Sequence, residues 1–232
     1  MEEYRNESNK QKNNDGMYRL LKVVSISYRF VAALLIVSSF GLVLTNYSTD
    51  IWYRVDASAV ESDTRSLLKA VNDEEIMSLR RDPKSDYSKA KKLPPIDKNL
   101  PTEPTLIIPS IGVNGRLHEG EDIESELKKG LVRHHGAGTP MSNNQMPVLL
   151  MAHRFGYASW SESFRNSQSF RNLPDLNPGD EIIYVYQQRA FRYKVTRVFE
   201  SESIVSVQED MILYTCKFFN NEKRIVVTAN LI

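Results

Sequence analysis

Cysteine is nearly absent from this chain of 232 residues, which contains one, Cys216. A single cysteine excludes an internal disulfide, so the residue is either a buried structural thiol or a reactive one. Net charge is nearly absent as well, because 30 Lys and Arg residues stand against 29 Asp and Glu residues. This balance removes the electrostatic argument for nucleic acid as a partner.

Histidine is also scarce, with four residues in the whole chain: His118, His134, His135 and His153. Adjacent residues of an extended segment point in opposite directions, and neither a cysteine nor a third histidine lies at ligand spacing from His134 and His135. We therefore expect loop histidines without a metal. The acidic stretch 119–126 carries oxygen ligands of the kind that bind calcium, but a solvated face is the favoured interpretation.

The amino-terminal part of the chain divides into a polar segment and an apolar one. Residues 1–29 are polar and basic, which predicts a disordered cytoplasmic segment. Residues 30–49 contain no charged side chain and are long enough to span a bilayer as a signal anchor. The basic residues before this span predict a cytoplasmic amino terminus and an external location for the rest. A cleaved signal peptide is the alternative, although no clear Ala-x-Ala site follows the apolar core.

Residues 50–104 are expected to form a helix and a linker. An imperfect apolar stripe over residues 57–81, which includes Leu67, Ile76 and Leu79, predicts a partly amphipathic helix. Proline and lysine dominate the segment that follows, as in a stiff linker. The favoured interpretation of residues 87–104 is a solvated stalk between the membrane and the domain at residues 105–232.

That domain is a series of short apolar, β-branched-rich runs separated by turns, which predicts an all-β barrel. Two of these runs, residues 211–216 and 224–229, flank an Asn-containing turn and are predicted to pair as a β-hairpin. In such a hairpin Cys216, at the end of the first strand, lies beside Arg224, at the start of the second. A guanidinium next to a thiol favours the nucleophilic thiolate.

A third apolar run, residues 147–152, ends in His153. A histidine at the end of a buried strand can lie at the same rim as Cys216 and Arg224. The three side chains then provide a nucleophile, a proton carrier and a donor to an oxyanion. These are the groups that acyl transfer requires.

These residues resemble the motifs of the sortases, the cysteine transpeptidases of bacterial cell surfaces. Residues 212–216, Ile-Leu-Tyr-Thr-Cys, are similar to the family's Thr-Leu-x-Thr-Cys, with Ile212 in place of the first Thr. Ala152 stands where the family's histidine motif usually has Gly. Residues 106–113 resemble the opening strand, and residues 170–173 and 176–180 resemble the signatures that follow the histidine. Some sortases carry a lid with an Asp-Pro-aromatic motif, but Lys84 follows Asp82-Pro83 here, so the stalk interpretation remains favoured.

The resemblance implies a sortase-like eight-stranded β-barrel with short helices. It implies Cys216, His153 and Arg224 as catalytic residues, contacts of Thr215 and Ala152 with substrate, and no metal or organic cofactor. The expected partners are secreted proteins with a sorting signal similar to Leu-Pro-x-Thr-Gly and an amino nucleophile of a cell-wall precursor or pilin. Two alternatives are a cysteine peptidase that uses water as the acceptor and a non-catalytic surface-binding module on the same barrel.

Overall fold

The structure is a computed structural model that describes residues 24, 27–39, 41, 57–69, 73–80, 93–142, 146–204, 208–217 and 223–232. The chain divides into two compact units, Met1–Thr49 and Asp50–Ile232. In the first unit residues 27–39 are helical. Among the described residues, no helix has both the length and the apolar character needed to cross a bilayer. The predicted span at residues 30–49 extends outside the described residues and stays a prediction.

The second unit contains eight strands and several short helices. The strands are β1 (Thr105–Ile108), β2 (Val113–His118), β3 (Leu131–Arg133), β4 (Val148–Met151), β5 (Glu181–Tyr186), β6 (Arg189–Ser201), β7 (Met211–Cys216) and β8 (Arg224–Leu231). The α-helices are α1 (Ala57–Lys69), α2 (Asp73–Ser78), α3 (Ile123–Leu127) and α4 (Glu162–Gln168). Short 3₁₀ turns at Pro109–Ile111 and Leu173–Asp175 complete the described elements.

The strands close into a barrel in the order β1-β2-β3-β4-β7-β8-β6-β5. The β2–β3 and β4–β7 pairs are parallel, and the other neighbouring pairs are antiparallel. This architecture confirms the predicted eight-stranded β-barrel with short helices.

Strands β4 and β7 are buried on both faces. Side chains that point into the barrel, such as Leu150 and Leu213, belong to its interior core. Side chains that point outward, such as Met151 and Tyr214, belong to a second apolar cluster together with residues of α1 and α3. Burial on both faces explains why these strands are continuous apolar runs rather than alternating ones, because a strand with one solvated face would show polar residues at every second position.

Helix α1 forms part of this outer cover. Its buried positions are Val60, Asp63, Thr64 and Leu67, which repeat at the spacing of one helical face. Leu67 has 0 % of its surface exposed. Helix α1 lies within the helix predicted over residues 57–81, and its buried face shows that this part of the chain is not a solvated segment. Two of the four contact positions are polar, so the apolar stripe is too thin to reveal that the helix packs on the barrel.

Candidate active site

Two strand pairings bring Cys216, His153 and Arg224 to one rim of the barrel. Cys216 ends β7, Arg224 begins β8, and the two are direct partners across the antiparallel pair, as the predicted hairpin requires. Strand β4 runs parallel to β7 with Met151 opposite Tyr214, so His153 follows two residues beyond that pair, as Cys216 does. The rim is covered, since His153 and Cys216 are 0 % exposed and Arg224 is 2 % exposed.

The cover over the histidine and the thiol is helix α1. The Asp63 carboxylate lies 3.0 Å from Nδ1 of His153, and both groups are buried. The Thr64 hydroxyl lies 3.4 Å from Nε2 of the same ring. One turn further along, the Ser66 hydroxyl lies 3.5 Å from Sγ of Cys216. These contacts occupy both ring nitrogens and the thiol, so a substrate reaches them only after α1 moves away.

Arg224 holds the carboxyl-terminal end of the same helix. Its Nη2 donates to the carbonyl oxygen of Ser66 at 2.6 Å. Carbonyls in the last turn of a helix lack intrahelical donors, and a guanidinium is a suitable replacement. Arg224 therefore binds the backbone carbonyl of a residue whose hydroxyl lies 3.5 Å from the Cys216 thiol.

The cover of α1 disfavours the thiolate form of Cys216. Burial raises the pKa of the Cys216 thiol well above its usual range, and the negative charge of Asp63 raises it further. The positive charge of Arg224 acts in the opposite direction but does not outweigh these two effects. Because the thiolate is the nucleophilic form, this arrangement disfavours reaction of the thiol for an electrostatic reason as well as a steric one.

The carboxylate of Asp63 is only partly satisfied. Its Oδ2 faces His153, whereas its Oδ1 is buried without a hydrogen-bond partner among the described residues. An unsatisfied buried acceptor costs about 1–3 kcal/mol. This cost lowers the free energy required to displace α1 from the rim.

Thr215 and Ala152 tie the two active-site strands together. The Thr215 hydroxyl donates to the Ala152 carbonyl at 2.8 Å, and both residues are 0 % exposed. The bond joins the residue before the thiol to the residue before the histidine, so it fixes the spacing of the pair. Nearby, Arg154 donates to the carbonyl of Lys217, which anchors the chain just after Cys216. The contact of Thr215 and Ala152 with substrate remains a prediction.

The acidic and histidine-rich segments show ion pairs and ring contacts rather than a metal cluster. Within the described ranges no group of three or more His, Cys, Asp or Glu side chains is arranged to hold a metal ion. The Glu119 carboxylate receives two hydrogen bonds from Arg133, at 2.6 and 3.0 Å. The rings of His134 and His135 stack with centroids 4.8 Å apart.

Sequence reasoning missed the three α1 residues that touch the site: Asp63, Thr64 and Ser66. One signal was available in the strands that the helix covers. The run from Met211 to Tyr214 is apolar at every position, which requires cover on the outer face as well as the inner one. The spacing of Val60 and Leu67 then identifies a helix able to supply that cover.

The rate at which a thiol reagent alkylates Cys216 tests whether α1 controls the reactivity of the thiol. Asp63→Ala removes a negative charge beside Cys216 and one anchor of the helix, so the pKa of the thiol falls. At any pH below that pKa a larger thiolate fraction is present, and the pH profile of alkylation by iodoacetamide shifts to lower pH. We expect alkylation at pH 7 to accelerate at least tenfold, the equivalent of about one pKa unit.

The matched control for this prediction is Glu61→Ala. Glu61 lies on the solvent side of the same helix and pairs with Arg65, both with side chains more than half exposed. This variant should be alkylated at the rate of the parent protein. Identical pH profiles for the parent and Asp63→Ala would show that α1 does not control the reactivity of the thiol.

Comparison with known proteins adds a family match to this geometry. The sequence model of the sortase domain matches residues 106–232. No protein in the curated set matches the chain. Solved structures with a similar fold include sortase C-1 from Actinomyces oris, at 19 % identity and a TM-score of 0.45, covering 63 % of this chain and 92 % of that one.

Two further solved structures are similar to the same degree. Sortase A from Corynebacterium diphtheriae is 18 % identical with a TM-score of 0.47, covering 82 % of this chain and 91 % of that one. Sortase C-1 from Streptococcus pneumoniae is 20 % identical with a TM-score of 0.46, covering 77 % and 92 % respectively. Because the sortase-domain model matches more than half of its residues, the chain belongs to the sortase family, a family of cysteine transpeptidases.

Proposed function

We propose that this protein is a sortase-type transpeptidase that cleaves a sorting signal and joins the new carboxyl end to an amine. The observation that carries the proposal is the position of Cys216 between His153 and Arg224 at one barrel rim. The family match supports the general reaction class, and the roles of individual residues are argued from their chemistry.

In the first step the Cys216 thiolate attacks the backbone carbonyl carbon of the sorting signal. A C–S bond forms, and the carbonyl oxygen becomes an oxyanion that Arg224 stabilises by charge and hydrogen bonding. When the tetrahedral intermediate collapses, the C–N bond breaks and the imidazolium of His153 gives its proton to the departing amine. The product is a thioester acyl-enzyme.

In the second step an amine attacks the thioester carbonyl carbon. A C–N bond forms, the C–S bond breaks, and the sulfur leaves as thiolate. The proton that the amine loses passes to His153, which restores the imidazolium for the next cycle. The reaction exchanges one amide bond for another, so it requires neither an oxidant nor a nucleotide.

The proposal extends to the substrates and to the cellular location of the protein. We infer a secreted protein with a sorting signal similar to Leu-Pro-x-Thr-Gly as the acyl donor, and an amino group of a cell-wall precursor or pilin as the acceptor. Residues 30–49 are proposed as the anchor that holds the catalytic domain on the outer side of the membrane. Both substrates require an open form of the protein, because α1 contacts the thiol and the imidazole directly.

Product analysis tests the proposal. The full-length protein is incubated with a panel of sorting-signal peptides, with and without triglycine, and the products are identified by mass spectrometry. We expect cleavage of at least one peptide and, with the amine present, a ligated product that contains both components. Cleavage that never yields a ligated product would identify a peptidase with water as acceptor. Binding without cleavage of any peptide would identify a non-catalytic module.

A further inference from the structure

The chain that follows His153 carries a row of aromatic rings that the reaction described above does not use. The ring of Tyr157 meets the imidazole of His153 edge-on, with centroids 5.2 Å apart. Trp160 lies 5.3 Å from Tyr157, and Phe164 lies 4.8 Å from Trp160. All three rings are partly exposed. We call Tyr157, Trp160 and Phe164 the aromatic ladder.

Hydrogen bonds to the backbone and close backbone packing hold the ladder in place, in addition to apolar contacts between the rings. The buried guanidinium of Arg165 donates to the carbonyls of Phe155 at 2.9 Å and Tyr157 at 2.7 Å. Gly156 has a φ of +72°, and a Cβ atom there would collide with the Trp160 ring. The indole therefore packs directly on the backbone of Gly156, which lies between the two residues whose carbonyls Arg165 binds. Such a framework fixes the rings in place before any ligand arrives.

The position of the ladder relates it to one of the two substrates. Across the rim the order of strands places His153 on one side of Cys216 and Arg224 on the other. The oxyanion forms on the Arg224 side, whereas the amine leaves and enters on the His153 side, because the imidazole exchanges its proton. The ladder starts at His153 and thus lies on the side of the amine.

The faces of the ladder rings suit a cation. Burial raises the pKa of Tyr157, a hydrogen bond with Thr64 lowers it, and the negative charges of Glu124 and Asp63 raise it. The Glu124 side chain is 46 % exposed and lies 3.8 Å from Lys128. When α1 moves away, Asp63 and the Thr64 hydroxyl that bonds Tyr157 leave with it, and the face of the first ring becomes accessible. An exposed aromatic face suits an ammonium group, because the negative face of the ring attracts a cation.

We propose that the aromatic ladder is the binding site for the acceptor, which it holds as a primary ammonium beside His153. This inference rests on the proposed transpeptidase function. The bound ammonium releases one proton to water, attacks the thioester as the free amine, and gives its second proton to His153. The same chemistry fits a peptide amino terminus and a lysine side chain, which are two sources of one ligand.

Transfer to different acceptors tests the site. Donor cleavage and amine transfer are measured in the full-length protein for Trp160→Ala, with triglycine, Nα-acetyl-lysine amide or hydroxylamine as acceptor. Loss of a cation–π contact predicts a rise of about fivefold to thirtyfold in the KM of the acceptor. The comparison of triglycine with the lysine amide shows which ammonium source the ladder prefers. Hydroxylamine is small and uncharged at neutral pH, so its transfer should be unchanged.

Two variants control for structural effects. Trp160→Phe keeps an aromatic face and should recover most of the affinity for the acceptor. Tyr186→Ala removes a partly exposed ring from β5, three strands from β7 in the barrel order, and should leave both reactions unchanged.

The results of these experiments distinguish a failure of the acceptor-site proposal from a failure of the proposed transpeptidase function. If the parent protein cleaves no donor, the transpeptidase function fails. If the parent transfers acyl groups and Trp160→Ala does so with the same acceptor KM, the ladder is not the acceptor site. If donor cleavage falls in parallel with transfer to every acceptor, Trp160 only positions His153 and the proposal is overturned.

Discussion

Replacing Cys216 with Ala is expected to abolish cleavage and transfer completely. The Cys216 thiol is the only one in the chain, so every thioester intermediate must form on it. The substitution removes one sulfur atom from a buried site and should reduce the free energy of unfolding by only about 1 kcal/mol. Intact-mass spectra of the protein with donor peptide should show an acyl adduct on the parent and none on Cys216→Ala.

Cys216→Ser is the isosteric control for this experiment. It retains the shape of the side chain but replaces the thiol with a hydroxyl that ionises far less readily, so it should also lose the adduct. Unchanged turnover in either variant, or an acyl adduct trapped on Cys216→Ala, would remove Cys216 from the mechanism.

Replacing Arg224 with Ala should lower the rate of acylation at least a hundredfold. Removal of one donor to an oxyanion typically costs about 3 kcal/mol of transition-state stabilisation. The alternative, a solvent-exposed arginine with no role in catalysis, does not fit a side chain that is 2 % exposed and bonded to the Ser66 carbonyl. Arg224→Lys should recover only part of the rate, because an ammonium lacks the planar guanidinium fork.

Arg224 also holds α1, so its two roles must be measured separately. Loss of its bond to Ser66 loosens the cover, which exposes the thiol to small reagents. Acylation by donor peptide should therefore fall at least a hundredfold while alkylation by iodoacetamide does not fall in parallel. Arg154→Ala is the matched control, because Arg154 donates to the Lys217 carbonyl on the same rim. If Arg154→Ala lost acylation and Arg224→Ala retained it, the oxyanion role would belong to Arg154.

The hairpin that carries Cys216 and Arg224 could be predicted from the sequence because its information is local. Seven residues separate the two, and the apolar runs on either side determine the register of the strands. His153 was predictable at the same rim because a short apolar run leads directly to it. In each case the neighbouring residues contain the pattern that decides the structure.

The α1 contacts could not be predicted in the same way, because they join distant parts of the chain. Asp63 meets His153 across 90 positions, and only the folded barrel brings the two together. Helix α1 contacts the rim partly through polar side chains. A search for periodic apolar residues does not detect such contacts. Helix α4 was not predicted from the sequence, because its seven residues are too few to show an apolar periodicity.

The attachment of α1 to the same chain makes it an intramolecular competitor. A competitor tethered in this way acts at a constant effective concentration, which dilution of the enzyme does not change. If about 1 % of the molecules are open, the apparent Kd of a donor is about a hundredfold weaker than its intrinsic value. Donors that are scarce or poorly matched to the rim then fail to displace the helix, whereas a donor concentrated at a surface succeeds. The Asp63–His153 contact would therefore raise the concentration of substrate at which half of the molecules are open.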